Sequence, residues 1–283
     1  MDLREIYNLN NNKLKLSFEV FPPKDSEKTS ELLEELNVLR QFDPKFVSLT
    51  WGAGGNENSS LELVKNIQES GFDVMPHFTC VCSTKEFVAS HIEKFEKMHI
   101  DKILALRGDI PEDKILCHRE FNYASDLVGF LREKSTLSIG VAGYPEGHIE
   151  SENLDSDIKN LKKKVDLGAD VIFTQLFFDN DKFFKYCELV RKAGITIPII
   201  PGIMPILSKK QIDKMTNLAR ISLPKKLQEY IEKYQDSNSD IQKIGVEYVS
   251  QMCENLIHND ILGLHFFTLN KSKSSKEILE NIL

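Results

Sequence analysis

The chain of 283 residues has no apolar run long enough to cross a bilayer. Its most apolar segment, Ile195 to Leu207, is short and broken by proline, whereas a spanning helix needs about 20 apolar residues. The opening MDLREIYNLNNN has acids and amides where an export signal needs a basic start and an apolar core. Positive charge is also short: 36 Lys and Arg stand against 43 Asp and Glu, a net charge of -7. Such a surface repels nucleic acid on average, so an anionic ligand needs a local cluster of cations. Five cysteines form no C-x-x-C pair, which suits reduced thiols in a cytosol. Cys80 and Cys82 lie near His77 but lack the wider paired spacing of zinc sites, so they read as buried strand thiols and no metal is expected. Gly52, Gly54 and Gly55 miss the G-x-G-x-x-G spacing, and no P-loop occurs, so any nucleotide must be held in another way. No internal repeat or low-complexity linker is visible. The expectation is a globular cytoplasmic protein acting on small molecules, with no membrane or nucleic-acid partner.

What the chain does have is regular alternation. Eight short β-branched or aromatic runs occur at Leu14 to Phe21, Phe46 to Thr50, Val74 to Cys80, Lys102 to Arg107, Leu137 to Tyr144, Val171 to Phe177, Pro198 to Ile203 and Leu264 to Leu269. Between them lie segments of helical period: Ser30 to Gln41, Leu61 to Ser70, Lys85 to Met98, Ala124 to Glu133, Asp155 to Leu167 and Asp181 to Lys192. Boundary residues fit: Ser83 or Thr84 before Glu86, and Gly71, Gly168 and Gly194 after helical runs. Strands alternating with helices pair in parallel through right-handed crossovers. Eight such units close most economically into an α/β fold, a (β/α)8 TIM-type barrel, spanning residues 1–283 as a single domain. The interval from Ser208 to His258 exceeds one crossover helix, and Pro224 with the polar run Gln235 to Asp240 divides it. Extra helices are therefore expected between strands seven and eight.

Barrels of this kind carry their chemistry at the carboxyl ends of the strands. In strand one, alternation places Phe18 and Val20 on one face and Ser17 and Glu19 on the other. With the apolar face toward the helices, Glu19 points into the barrel, where desolvation is expected to raise its pKa and prepare it as a proton donor. A buried ion pair, for instance with Arg107, is the competing reading. Strand four ends in Arg107-Gly108-Asp109, suited to hold a phosphate and let a flat ring approach the backbone, although the same tripeptide also makes an ordinary turn with a salt bridge. Strand two ends in Thr50-Trp51-Gly52-Ala53, strand three carries His77, strand five ends in Tyr144-Pro145-Glu146-Gly147-His148, and strand six carries Thr174-Gln175. Each alone fits packing or a loop; their convergence on one rim is the stronger observation. On the following helix Asp157, Asn160 and Lys164 share one stripe, either a solvated face or a polar track for an adenosine or pyrophosphate.

The segments SFEVFPP, VSLTWGAGG, PHFTC, LALRGD, YASDLV, GYPEGH, NLKKKVDLGAD, TQLFFD, IIPGIMP and HFFTLNK occur in this order from about Leu16 to Lys271. In this the chain closely resembles the methylenetetrahydrofolate reductases. The resemblance implies an FAD enzyme that reduces 5,10-methylenetetrahydrofolate to 5-methyltetrahydrofolate with NADH or NADPH, by ping-pong kinetics, for methionine synthesis. It further implies that Glu19 is the acid that protonates the folate N10, and that Asp109 lies near flavin and folate. Thr50, Trp51, Ala53, His77, Arg107, Gly108, Asp109, Ala124, Tyr144, His148, Asp157, Asn160, Lys163 and Lys164 match positions that contact or lie beside FAD. Asp109, Gln175, Gln211 and Lys271 match positions that touch the substrate. Lys271 stands where the family often has arginine, and Met215 where some members have an aromatic. Members are commonly homo-oligomers. Eukaryotic relatives add an S-adenosylmethionine-sensing domain, which the chain's end soon after strand eight leaves unexpected. Rival readings are another flavin barrel of the proline-dehydrogenase kind, a cofactor-free pterin-binding methyltransferase barrel, and a noncatalytic binding protein.

Overall fold

Strand β1 (Lys15–Val20) buries all but one of its side chains, and it pairs in parallel with both β2 (Phe46–Leu49) and β8 (Gly263–Phe267). That double pairing closes the sheet. In the computed structural model, which describes residues 1–8, 13–23, 25–50, 57–110 and 120–283, the remaining strands follow in chain order: β3 (Val74–Thr79), β4 (Lys102–Leu106), β5 (Ser138–Gly143), β6 (Val171–Leu176) and β7 (Ile199–Ile203). The order β1 to β8 is unbroken around a closed barrel, as the alternation in the sequence predicts.

The crossover helices are α2 (Thr29–Leu39), α3 (Glu57–Glu69), α4 (Lys85–Lys97), α5 (Ala124–Lys134), α6 (Leu154–Asp166) and α7 (Asn180–Lys192). Thr84 caps α4 by accepting from the Phe87 amide at 3.1 Å. Between β7 and β8 lie α8 (Lys209–Ala219), α9 (Lys225–Lys233) and α10 (Asn238–His258), the expected extra helices. The chain closes with α11 (Lys273–Ile282). Outward strand residues such as Phe18, Val47, Phe78 and Phe266 form one apolar core with the helices.

A second core fills the barrel. Phe46, Met75, Leu104, Val171, Phe173 and Ile200 meet there with Leu3, Ile6 and Tyr7, which come from a short N-terminal helix, α1 (Leu3–Ile6), and the residue after it. Leu3 N–H donates to Ser138 Oγ at 2.9 Å, so α1 seals the amino-terminal end of the sheet. The sequence yields no helix there because four residues show no period. Between β6 and β7 the register shifts after Phe173. There Gly202 N–H donates to Thr174 Oγ1 at 3.0 Å, and a Cβ on Gly202 would lie 2.2 Å from the Thr174 carbonyl oxygen, a contact only glycine permits.

Candidate active site

Two groups of polar residues occupy the carboxyl end of the barrel. The first is in its throat. The parity of β1 turns Ser17 and Glu19 inward, that of β2 turns Ser48 inward, that of β3 His77, and that of β8 His265. Glu19 Oε2 lies 3.3 Å from His265 Nε2 and 3.4 Å from His77 Nε2. Each imidazole also meets a hydroxyl: Ser17 Oγ lies 2.8 Å from His265 Nδ1, on the side away from Glu19, and Ser48 Oγ lies 2.8 Å from His77 Nε2, the nitrogen that also faces Glu19. The Glu19 backbone is fixed as well, its carbonyl accepting from the Thr268 hydroxyl at 2.7 Å.

This environment reverses the expected direction of the Glu19 pKa. Burial does push the carboxyl upward, but the two imidazoles outweigh it and hold the group down at about 2. The partners of the Glu19 carboxylate in the throat are the imidazoles of His77 and His265 and not the Arg107 guanidinium. Arg107 turns instead to Glu150, which takes its guanidinium through two contacts, at 2.5 and 2.8 Å, and this pair raises the arginine pKa further.

The second group lines a cleft of about 290 Å³ beside the mouth, walled by Arg107, Ala124, Tyr144, His148, Asp157, Asn160, Lys163 and Lys164 among others. The stripe inferred for α6 therefore does face one cavity. Asn153 starts this helix by accepting from the Ser156 amide at 2.9 Å, which turns Asp157 under the cleft, where Ser151 Oγ donates to it at 3.1 Å. Burial raises the Asp157 carboxyl, lowers the His148 imidazole and pushes the Tyr144 phenol up to about 12. Burial also brings the Lys164 ammonium down to about 8, against the pull of Asp157. Lys164 donates to the Ala142 carbonyl at 2.6 Å and forms no ion pair among the described residues. A desolvated cation without a carboxylate in contact is a ready partner for a phosphate.

The other candidates are dispersed around the rim. Gly108 adopts φ +85, and a Cβ there would lie 2.8 Å from Val81 Cγ1, so the turn that carries Asp109 needs glycine. Asp109 is exposed and Thr50 half-buried. Trp51 and Ala53 lie outside the described residues. His77 faces Glu19 in the throat and is not part of the cleft wall. Gln175 is half-buried near the end of β6, its side-chain oxygen accepting from the Leu176 amide at 2.9 Å. Gln211 uses its amide within the turn before α8, accepting from Leu207 N–H at 3.1 Å and donating to the Pro205 carbonyl at 3.4 Å. Lys271 pairs with Glu35 at 3.2 Å, and Met215 packs against the core.

The sequence places Ser17 on the inward face beside Glu19 but gives it no role, and His265, Ser48 and Glu150 were missed. The inward parity of β8 and β2 was the available signal, since a histidine and a serine on inward positions need polar partners. One thiol expectation also changes: Cys80, Cys187 and Cys253 are free, whereas Cys82 is disulfide-bonded.

A closed parallel barrel with a carboxyl group and two imidazoles in its throat and a cleft holding Arg107, Lys163 and Lys164 at its carboxyl end belongs to the class of (β/α)8 barrels that carry chemistry at that face. Comparison with known proteins narrows the class. The family model for methylenetetrahydrofolate reductase matches residues 3–283, and the chain belongs to that family. It is 37% identical over 277 residues to methylenetetrahydrofolate reductase 1 of Schizosaccharomyces pombe, covering 95% of this chain and 46% of the yeast protein. The chain thus spans about half the length of that relative. With 5,10-methylenetetrahydrofolate reductase of Escherichia coli it shares 33% identity over 272 residues, covering 95% of this chain and 91% of the bacterial one. Among solved structures, an uncharacterized Clostridium thermocellum protein that binds two copies of 5-methyl-5,6,7,8-tetrahydrofolic acid superposes with a TM-score of 0.71 at 13% identity, covering 99% of this chain and 97% of that one. That likeness supports the barrel fold alone. No helix among the described residues is long and apolar enough to cross a membrane.

Proposed function

We propose that the protein reduces 5,10-methylenetetrahydrofolate to 5-methyltetrahydrofolate, with FAD as bound cofactor and NADH or NADPH as electron donor, in the cytoplasm and in the service of methionine synthesis. The observation that carries this reading is a carboxylate held in the barrel throat beside a cleft suited to a dinucleotide. The residues along the cleft support this reading. Arg107, Lys163 and Lys164 supply cations for a pyrophosphate, Asp157 and Asn160 supply polar groups for a ribose, and Tyr144 and Ala124 supply apolar wall.

When bound, FAD would supply the hydride chemistry that links the nicotinamide nucleotide to the folate, held by Arg107, Lys163 and Lys164 at its pyrophosphate. The residues of the chain do the remaining work. Glu19 delivers a proton to the folate N10, which opens the five-membered ring to the iminium cation that receives the hydride. Asp109, exposed at the rim, favours that cation by its charge. Gln175, Gln211 and Lys271 orient the substrate; the last two must leave the partners they hold here, the α8 turn and Glu35. Because donor and folate use the same site in turn, the kinetics are ping-pong. The whole of residues 1–283 acts as one catalytic domain, assembled as a homo-oligomer.

The test is anaerobic stopped-flow of the FAD-loaded protein. Bleaching near 450 nm on adding NADH or NADPH, followed by recovery on adding methylenetetrahydrofolate, supports the assignment. Absence of either phase rejects it.

A further inference from the structure

The carboxylate proposed to act as an acid stands within 3.4 Å of two imidazole nitrogens, either of which could hold the proton it delivers. His265 is 1% exposed and is packed among the rings of Phe46, Phe173 and Phe267, with centroids 6.4, 5.2 and 5.4 Å away. Its two nitrogens have distinct partners, Glu19 Oε2 at Nε2 and the Ser17 hydroxyl at Nδ1. His77 differs, for one and the same nitrogen, Nε2, lies toward both Ser48 Oγ and Glu19 Oε2.

We propose that His265 is a proton store for Glu19, holding the proton at Nε2 until the folate docks and acting through Glu19 rather than on the substrate itself. This rests on the reductase reading above. The step balances without any redox partner. The Nε2–H bond of the imidazolium breaks and an O–H bond forms on Glu19 Oε2, leaving a neutral imidazole with its remaining proton at Nδ1. Glu19 passes the new proton to the folate nitrogen, and after turnover the pair takes up a proton from water at the partly exposed edge of Glu19. Ser17 makes the exchange inexpensive. A hydroxyl both donates and accepts, so it accepts from Nδ1–H whether the ring is imidazolium or the neutral Nδ1–H tautomer, and donates to Nδ1 when the proton is absent. No backbone movement is needed. The titratable groups facing the pair are His77 from β3 and, behind Ser17 at the sealed end of the barrel, Tyr7, whose phenol burial raises and so keeps neutral.

The experiment follows both half-reactions across pH for FAD-loaded wild type, His265→Gln and Ser17→Ala. A store acts only where a proton is consumed. His265→Gln is therefore expected to slow flavin reoxidation by methylenetetrahydrofolate by about 10²-fold, the low end of general acid catalysis, and to slow flavin reduction by NADH far less. Its folate-phase rate should also begin to fall at a lower pH than in wild type. Ser17→Ala, which keeps the ring, should displace the pH profile in the same direction with a smaller loss. Equal slowing of both half-reactions with an unmoved pH profile would show a purely structural histidine and overturn the proposal, as would an unaffected folate phase. Wild type that is reduced by NADH but never reoxidised by methylenetetrahydrofolate would instead overturn the reductase reading itself.

Discussion

At Glu19, burial and charge act in opposite directions on one carboxyl group. The imidazoles prevail, bringing it from the ordinary 4.5 down to about 2, and the linkage to stability has a definite sign. A depressed carboxyl pKa stabilises the fold above the unfolded value, and that stabilisation is lost as pH falls from 4.5 toward 2, on the order of 3 kcal/mol for such a displacement. Glu19→Gln should thus lower the urea midpoint near neutrality, with the gap to wild type narrowing below about pH 4.5. A gap independent of pH in that range would count against the ionised state. Alternation along β1 was enough to turn this side chain inward, but His265 lies 246 residues away. No local pattern conveys a pairing set by barrel closure, and burial considered alone points the pKa the wrong way.

Among the elements, the loop after β5 has the clearest consequence. It carries Glu150, whose carboxylate occupies the Arg107 guanidinium at the cleft. A pyrophosphate seeking that arginine competes with a carboxylate already in place. Because Glu150 is more than half exposed, the competition is weak, within the 0–1 kcal/mol of surface pairs. Glu150→Gln should accordingly tighten FAD binding by up to about fivefold, as read by quenching of flavin fluorescence. Weaker binding would mean that Glu150 instead positions Arg107. The strand and helix pattern was readable along the chain because each crossover unit buries its own faces locally. The contacts Gln211 and Lys271 make in this state were not, since one rests on the turn before α8 and the other on Glu35 of a distant helix.

At the scale of the whole molecule, a protein of net charge -7 gathers cations on one cleft, and affinity for an anionic cofactor should follow the charge of that cleft. Burial leaves Lys164 titrating at about 8, and a bound phosphate draws its proton back. FAD affinity should therefore weaken as pH rises through about 8, and Lys164→Met should both weaken binding at neutral pH and flatten that dependence. Isothermal titration with FAD at several pH values measures this; equal slopes in wild type and variant would remove Lys164 from the cofactor's site. The amino-terminal end is sealed by α1 and the carboxyl end is polar, so the throat and the cleft share one face of the barrel.

If Glu19 delivers the proton that activates the folate, its removal should affect the folate half-reaction alone. The most direct measurement is single-turnover stopped-flow of Glu19→Gln against wild type, with each half-reaction followed at 450 nm under anaerobic conditions. Flavin reduction by NADH or NADPH should stay close to the wild-type rate, with reoxidation by methylenetetrahydrofolate slowed by at least about 10²-fold. Loss of both phases to the same degree, or a folate phase that survives the substitution, would contradict it.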